Sequence, residues 1–110
     1  MLTEFQDDLV RALASSIPDE WDLIKVNVEI DEVHGEIVVS PDGDYFLGDK
    51  GEQLRFKIDL IDLFKGLREL MGKQNIQKWT VCYLNVSSDG KYEFKFSYDQ
   101  PPRLTKLKNA

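Results

Sequence analysis

Between Trp79 and Tyr98 the sequence leaves little choice of local structure. Tyr92, Phe94, Phe96 and Tyr98 alternate with Lys91, Glu93, Lys95 and Ser97. A period of two is the mark of a strand with one buried face. Just upstream, Trp79 to Val86 carries β-branched and aromatic residues on both faces, as a central strand requires. Ser87-Ser88-Asp89-Gly90 separates the two runs and supplies a hairpin turn. An antiparallel hairpin is therefore expected, its inner strand central in a sheet and its outer strand half-buried.

The remaining elements follow from periodicity and punctuation. Phe5, Leu9, Ala12, Leu13 and Ile17 recur at helical spacing, and Thr3 with Gln6 has the form of a capping box, so a helix is expected over roughly residues 4–16. Pro18 disfavours helical geometry at Ile17 and ends it. Ile24, Val26, Val28 and Ile30 alternate with Lys25, Asn27 and Glu29 in a first strand. His34-Gly35 forms a turn, a second strand runs over residues 36–40, and Pro41-Asp42-Gly43-Asp44 stops it. Residues 41–52 read as an exposed acidic loop, and Leu54, Phe56 and Ile58 as a short third strand. Asp59 caps a second helix with Leu60, Ile61, Phe64, Leu67, Leu70 and Met71 on its apolar face. Gly66 inside it permits close packing against the sheet, and Gly72 suits its end. The predicted fold is α+β: a largely antiparallel sheet of about five strands with two helices on one face, in the order α-β-β-β-α-β-β. Residues 1–100 form one domain, and residues 101–110 a short basic tail bearing Arg103, Lys106 and Lys108.

Charge is distributed unevenly. From Glu29 to Asp62 there are ten acids against three bases, Lys50, Arg55 and Lys57, a local charge of −7 in a chain of net charge −6. Clustered like charges repel one another, and such a field opposes nucleic acid and anionic membranes. A basic protein surface is the complementary partner. Asp31, Glu32, Glu36, Asp42, Asp44, Asp49 and Glu52 are the candidate contact residues. Tyr45 and Phe46 lie among these acids outside any periodic pattern. They either anchor a partner or fold back onto the core.

Several chemistries lack their residues. One histidine, His34, and one cysteine, Cys82, exclude histidine clusters and thiolate zinc sets. Cys82 falls in an apolar strand pattern and reads as a core filler, so its pairing with His34 as a nucleophile is disfavoured. Gly43, Gly48 and Gly51 have no lysine-serine sequel and sit among acids, unlike a phosphate loop. Counting from Asp42, the twelfth position of a calcium loop is Gln53, where a glutamate is needed. Trp21, Trp79, Tyr92, Phe94, Phe96 and Tyr98 alternate in step with strand geometry in an acidic chain, which assigns them to the core and not to a base-stacking platform. No catalytic, cofactor or metal site is expected. No signal peptide or membrane-length apolar run is evident, so a cytoplasmic protein is expected.

Several landmarks together resemble the YezG-like immunity (antitoxin) proteins of bacterial polymorphic-toxin systems. They are Ile17-Pro18-Asp19-Glu20-Trp21, Asp62-Leu63-Phe64 with Leu67-Arg68, Trp79, Ser88-Asp89-Gly90-Lys91-Tyr92 and Phe96-Ser97-Tyr98-Asp99. The resemblance spans about Leu9 to Asp99. It implies an intracellular protein that binds and neutralises a cognate toxin domain, often a nuclease. A monomer or weak homodimer is expected. The segment from His34 to Glu52 is shorter than in that family and the ending is brief and basic, so toxin identity does not carry over. An acidic secretion chaperone holding an effector protein is the alternative.

Overall fold

The computed structural model describes residues 2–74 and 77–110. Its elements are α1 (Leu2–Ser15), β1 (Leu23–Val33), β2 (Glu36–Leu47), β3 (Lys50–Gln53), α2 (Ile58–Gln74), β4 (Val81–Ser87), β5 (Tyr92–Ser97) and α3 (Pro102–Lys108). The strands form one sheet in the order β3-β2-β1-β4-β5, with every neighbouring pair antiparallel. The α+β class and the order of its first seven elements are as expected. A third helix is added at the C-terminus.

Register divides the sheet into two faces. Ile24, Val26, Val28 and Ile30 of β1 share a face with Cys82, Leu84 and Val86 of β4. They pack against Leu9 and Leu13 of α1 and Leu60, Phe64 and Leu67 of α2, forming the buried core. Each such large apolar side chain contributes roughly 1.5–3 kcal/mol on burial. The other face carries Lys25, Asn27, Glu29 and Asp31 of β1, Ser40, Asp42 and Asp44 of β2, and Tyr83 and Asn85 of β4. Part of that face lies beneath α3, and the rest is open.

The turns obey their local chemistry. His34 and Gly35 both have positive φ, 52° and 84°, as a two-residue turn between right-twisted strands demands. Gly90, at φ 91°, closes the β4–β5 hairpin, where the Ser87 amide donates to Lys91 O at 2.9 Å.

Several expectations are corrected. α1 begins at Leu2, so Thr3 lies within its first turn rather than capping it. β2 does not stop at Pro41 but continues to Leu47, so residues 41–52 are mostly strand and not loop. Proline is tolerated there because the Gly43 carbonyl accepts from the Leu54 amide, away from β1. Pro41, two residues earlier, points its nitrogen to the same side, where β2 is an edge and no ladder bond is lost. The third strand is Lys50–Gln53, not Leu54–Ile58. Leu54 is buried and Phe56 packs on the core beside Gly43, whereas Ile58 is 75% exposed. Gly66 makes room for Phe5 of α1, not for the sheet: a β-carbon there would lie 2.8 Å from the ring. Gly72 lies inside α2, which runs on to Gln74.

The basic residues of the tail belong to α3, and their partners are acids of β1. Pro101 precedes α3 and offers no side-chain cap. Glu29, 1% exposed, takes that role from the sheet below. Its Oε1 accepts from the amides of Arg103 and Leu104 at 2.9 and 3.0 Å. Its Oε2 lies 3.2 Å from the Arg103 guanidinium. A carboxylate at a helix N-terminus satisfies free amides and meets the positive end of the helix dipole. Arg103 also donates to Ser40 Oγ at 2.8 Å, Ser40 O at 2.7 Å and Asn27 O at 3.1 Å. Lys108 donates to Asp31 Oδ2 at 2.5 Å.

Candidate partner-binding surface

β2 is roughly 36 Å long at about 3.3 Å per residue, so the candidate acids strung along it cannot form one patch. They separate into two ends. Toward the β1–β2 turn, Asp31 is half-buried and paired with Lys108. Burial pushes its carboxyl up, but the Lys108 and Glu32 amide hydrogen bonds, with the Lys108 and Arg68 charges, bring it below the usual aspartate value. Glu32 and Glu36 are exposed at this end but on opposite faces, because Glu32 registers with Ile37 and Glu36 with Val33. With Glu29 and Asp31 both paired to α3, much of the acidity here is neutralised within the chain.

The other end lacks such pairing. Asp42, Asp44, Asp49 and Glu52 are exposed, and none has an ion pair among the described residues. Asp49 sits in the two-residue β2–β3 turn beside Gly48, whose φ is 61°. Asp22 ties that turn down. Its carboxylate accepts from the Gly48 amide at 2.7 Å, its own amide donates to Phe46 O at 2.6 Å, and its carbonyl accepts from the Ser88 amide at 2.9 Å. Asp19 accepts from the Tyr45 hydroxyl at 2.9 Å. That bond, with burial and the charges of Asp19 and Glu52, pushes the Tyr45 phenol above its ordinary value.

β2 therefore divides two concave surfaces. On the open face a groove of about 410 Å³ is lined by Lys25, Asp42, Asp44, Tyr83, Asn85 and Lys95. On the helix side a cleft of about 870 Å³ is lined by Ser16, Pro18, Tyr45, Glu52, Gln53 and Arg55, among others. Tyr45 and Phe46, adjacent in sequence, take opposite faces. Tyr45 packs on the core and Phe46 lies over Gly51, where a β-carbon would meet its ring at 2.9 Å. Both are half-buried. Along the second half of β2 the structure thus places Asp42, Asp44 and Phe46 on the open face and Tyr45 and Glu52 on the helix side, with Asp49 in the turn at the tip, and leaves Asp31, Glu32 and Glu36 at the other end.

Sequence reasoning missed Asp19 and Asp22. Asp19 falls in the landmark that closes the first helix and Asp22 just beyond it, both outside the acidic run, yet their bonds to Tyr45 and Gly48 set them near Glu52 and Asp49. Their only sequence signal is the density of acids between Pro18 and Leu23. It missed Lys25 and Lys95 as well, which put positive charge into the open-face groove.

Among the described residues, no group of three or more His, Cys, Asp or Glu could hold a metal ion. Cys82 lies buried in β4, and burial pushes its thiol far above the ordinary range. The landmark residues do structural work. Arg68 Nε donates to Trp79 O at 2.7 Å, joining α2 to the start of β4. The Lys91 amide donates to Asp89 Oδ1 at 3.1 Å within the hairpin turn. No described helix is long and apolar enough to cross a membrane.

No family model matches the chain. Over 88% of its length it is 26% identical to the type VII secretion system protein EsaG of Staphylococcus aureus, of which the match covers 68%.

Proposed function

We propose that this chain is an immunity protein that binds a cognate, basic toxin domain and occludes its substrate groove, the toxin being of nuclease type. The observation that carries this reading is the division of charge. α3 neutralises one end of the β1–β2 ribbon, and at the other end Asp42, Asp44, Asp49 and Glu52 form no ion pair among the described residues, on a three-stranded edge. Lysine and arginine that normally meet phosphates can meet carboxylates instead. Opposed fields also speed encounter. The similarity to a secretion-system protein and the resemblance to YezG-like immunity proteins support the same reading. The contact residues are Asp42, Asp44, Asp49 and Glu52, with Tyr45 and Phe46 beside them. Asp31 is assigned to holding α3.

The test begins with a tagged copy of the chain in its native host, to recover the partner. Association is then followed by stopped flow. Reversing Asp42, Asp44 and Asp49 to lysine should slow association about tenfold or more at low salt, with the difference shrinking as salt rises. Unchanged association kinetics would refute steering by this surface.

The alternative, a secretion chaperone for an effector protein, is favoured by one finding: the similar protein is named for a secretion system. Recovery of an effector held through an extended, unstructured segment would select it. Recovery of a folded basic domain would select immunity.

A further inference from the structure

We infer that two copies of this chain join through the free edge of β5 into a continuous ten-stranded antiparallel sheet. The argument begins with backbone parity. The Ser97 carbonyl accepts from the Thr80 amide and the Lys91 carbonyl from the Ser87 amide, so the odd-numbered residues of this strand face β4. The even residues Tyr92, Phe94 and Phe96 therefore turn their N–H and C=O groups outward. β5 is the last strand of the sheet, so among the described residues no further strand takes them up. Such a row of unmet donors and acceptors is a template for another strand.

The two edges of the sheet differ. At the far edge, β2 carries Pro41, which has no N–H to offer, and β3 is only four residues long. Both features block pairing. β5 has six residues, no proline and no bulge.

A second copy of this chain is the occupant that fits. A two-fold axis through Phe94 pairs Phe94 with Phe94 and Tyr92 with Phe96 of the other copy. All three resulting pairs use outward-facing backbone groups, giving six hydrogen bonds by the antiparallel pattern. The same register sets Glu93 opposite Lys95 twice, so each charge meets its opposite. Both side chains are exposed on the face away from the core, and within one chain they already form an ion pair at 3.6 Å. On the helix side the half-buried row Tyr92, Phe94, Phe96, with successive ring centroids 5.6 and 5.8 Å apart, would continue across the axis as aromatic cross-strand pairs. A shift by one residue would direct odd-numbered backbone groups, already bonded to β4, toward the partner. β3 and its acidic turn lie at the opposite edge, so each copy keeps its acidic end free.

Sedimentation velocity of the full chain over a dilution series tests this, with monomer mass 12.7 kDa. A reversible dimer is expected. Glu93→Lys alone and Lys95→Glu alone each put like charges opposite one another twice and should weaken the dimer about tenfold. The double exchange should restore it, and mixing the two single variants should give a heterodimer tighter than either homodimer. Thermal melts of each variant serve as the control for folding. A monomer at every concentration overturns the inference. So does a dimer indifferent to these charges, which would lie on another surface. Association only with an extended peptide would also overturn it, as the edge would then serve a partner's strand.

Discussion

Replacing Glu29 by alanine isolates the attachment of α3. The carboxylate is 1% exposed and serves three donors: the Arg103 and Leu104 amides and the Arg103 guanidinium. Its removal leaves two amides at the start of α3 without an acceptor, at about 1 kcal/mol each or somewhat more. The guanidinium side chain is 37% exposed, so water replaces much of what it loses, and its share is about 1 kcal/mol, well below the cost of breaking a fully buried pair. The total is about 3 kcal/mol, a large part of the roughly 5–15 kcal/mol that holds a domain together. The assay is urea unfolding of four proteins: the full chain and a version ending at Gln100, each with and without Glu29→Ala. In the shortened chain Glu29 faces water and its replacement should change stability by less than about 0.5 kcal/mol. The coupling of about 3 kcal/mol should then appear only when α3 is present. Equal effects in the two backgrounds would refute the claim that Glu29 acts by capping α3.

Three further outcomes are expected. Asp31 has its carboxyl held below the usual value, so its bond to Lys108 contributes stability above the ordinary aspartate pKa of about 3.9, and that contribution is lost as pH falls through the lower folded value; amide exchange in α3 should accelerate in that acid range, and Lys108→Ala should abolish the change. Gly43→Ala should destabilise by about 1–3 kcal/mol in thermal unfolding, because the new methyl would lie 2.9 Å from Lys25 O with Phe56 pressed against it; wild-type stability would show that β2 can move aside. Cys82 should resist a thiol reagent at pH 8 in the native protein and react at once in urea, since burial both hides the thiol and pushes it up; rapid native labelling would contradict its place in the core.

Legibility followed the range over which each element is specified. The β4–β5 hairpin was readable because Tyr92, Phe94 and Phe96 carry their burial pattern within a few residues, and Gly90 marks the turn. α1, α2 and β1 were readable for the same reason. The stretch 41–53 was misread because its composition, Pro41, three glycines and four acids, is that of a loop. It is strand because β1 offers eleven paired positions, Leu23 through Val33, and because Pro41 and Gly43 suit an edge and a close approach. Leu54 and Phe56 alternate like strand residues, but Leu54 is buried in the core and Phe56 packs against Gly43. α3 left no local trace of its docking, since its cap comes from Glu29, 74 residues earlier in the chain. Of the candidate surface, the excess of acids was legible. Which of them remain unpaired was not.

By itself the sequence determined the α+β class, the helices that cover one face, the identity of the core and the net negative field, because periodicity and charge are properties of neighbours along the chain. The tertiary structure alone decided where that field is expressed. Arg103 and Lys108 return across more than seventy residues to Glu29 and Asp31, and Asp19 and Asp22 come beside Asp49 and Glu52. Electrostatic interaction depends on distance in space, and only folding sets which charges are near enough to cancel.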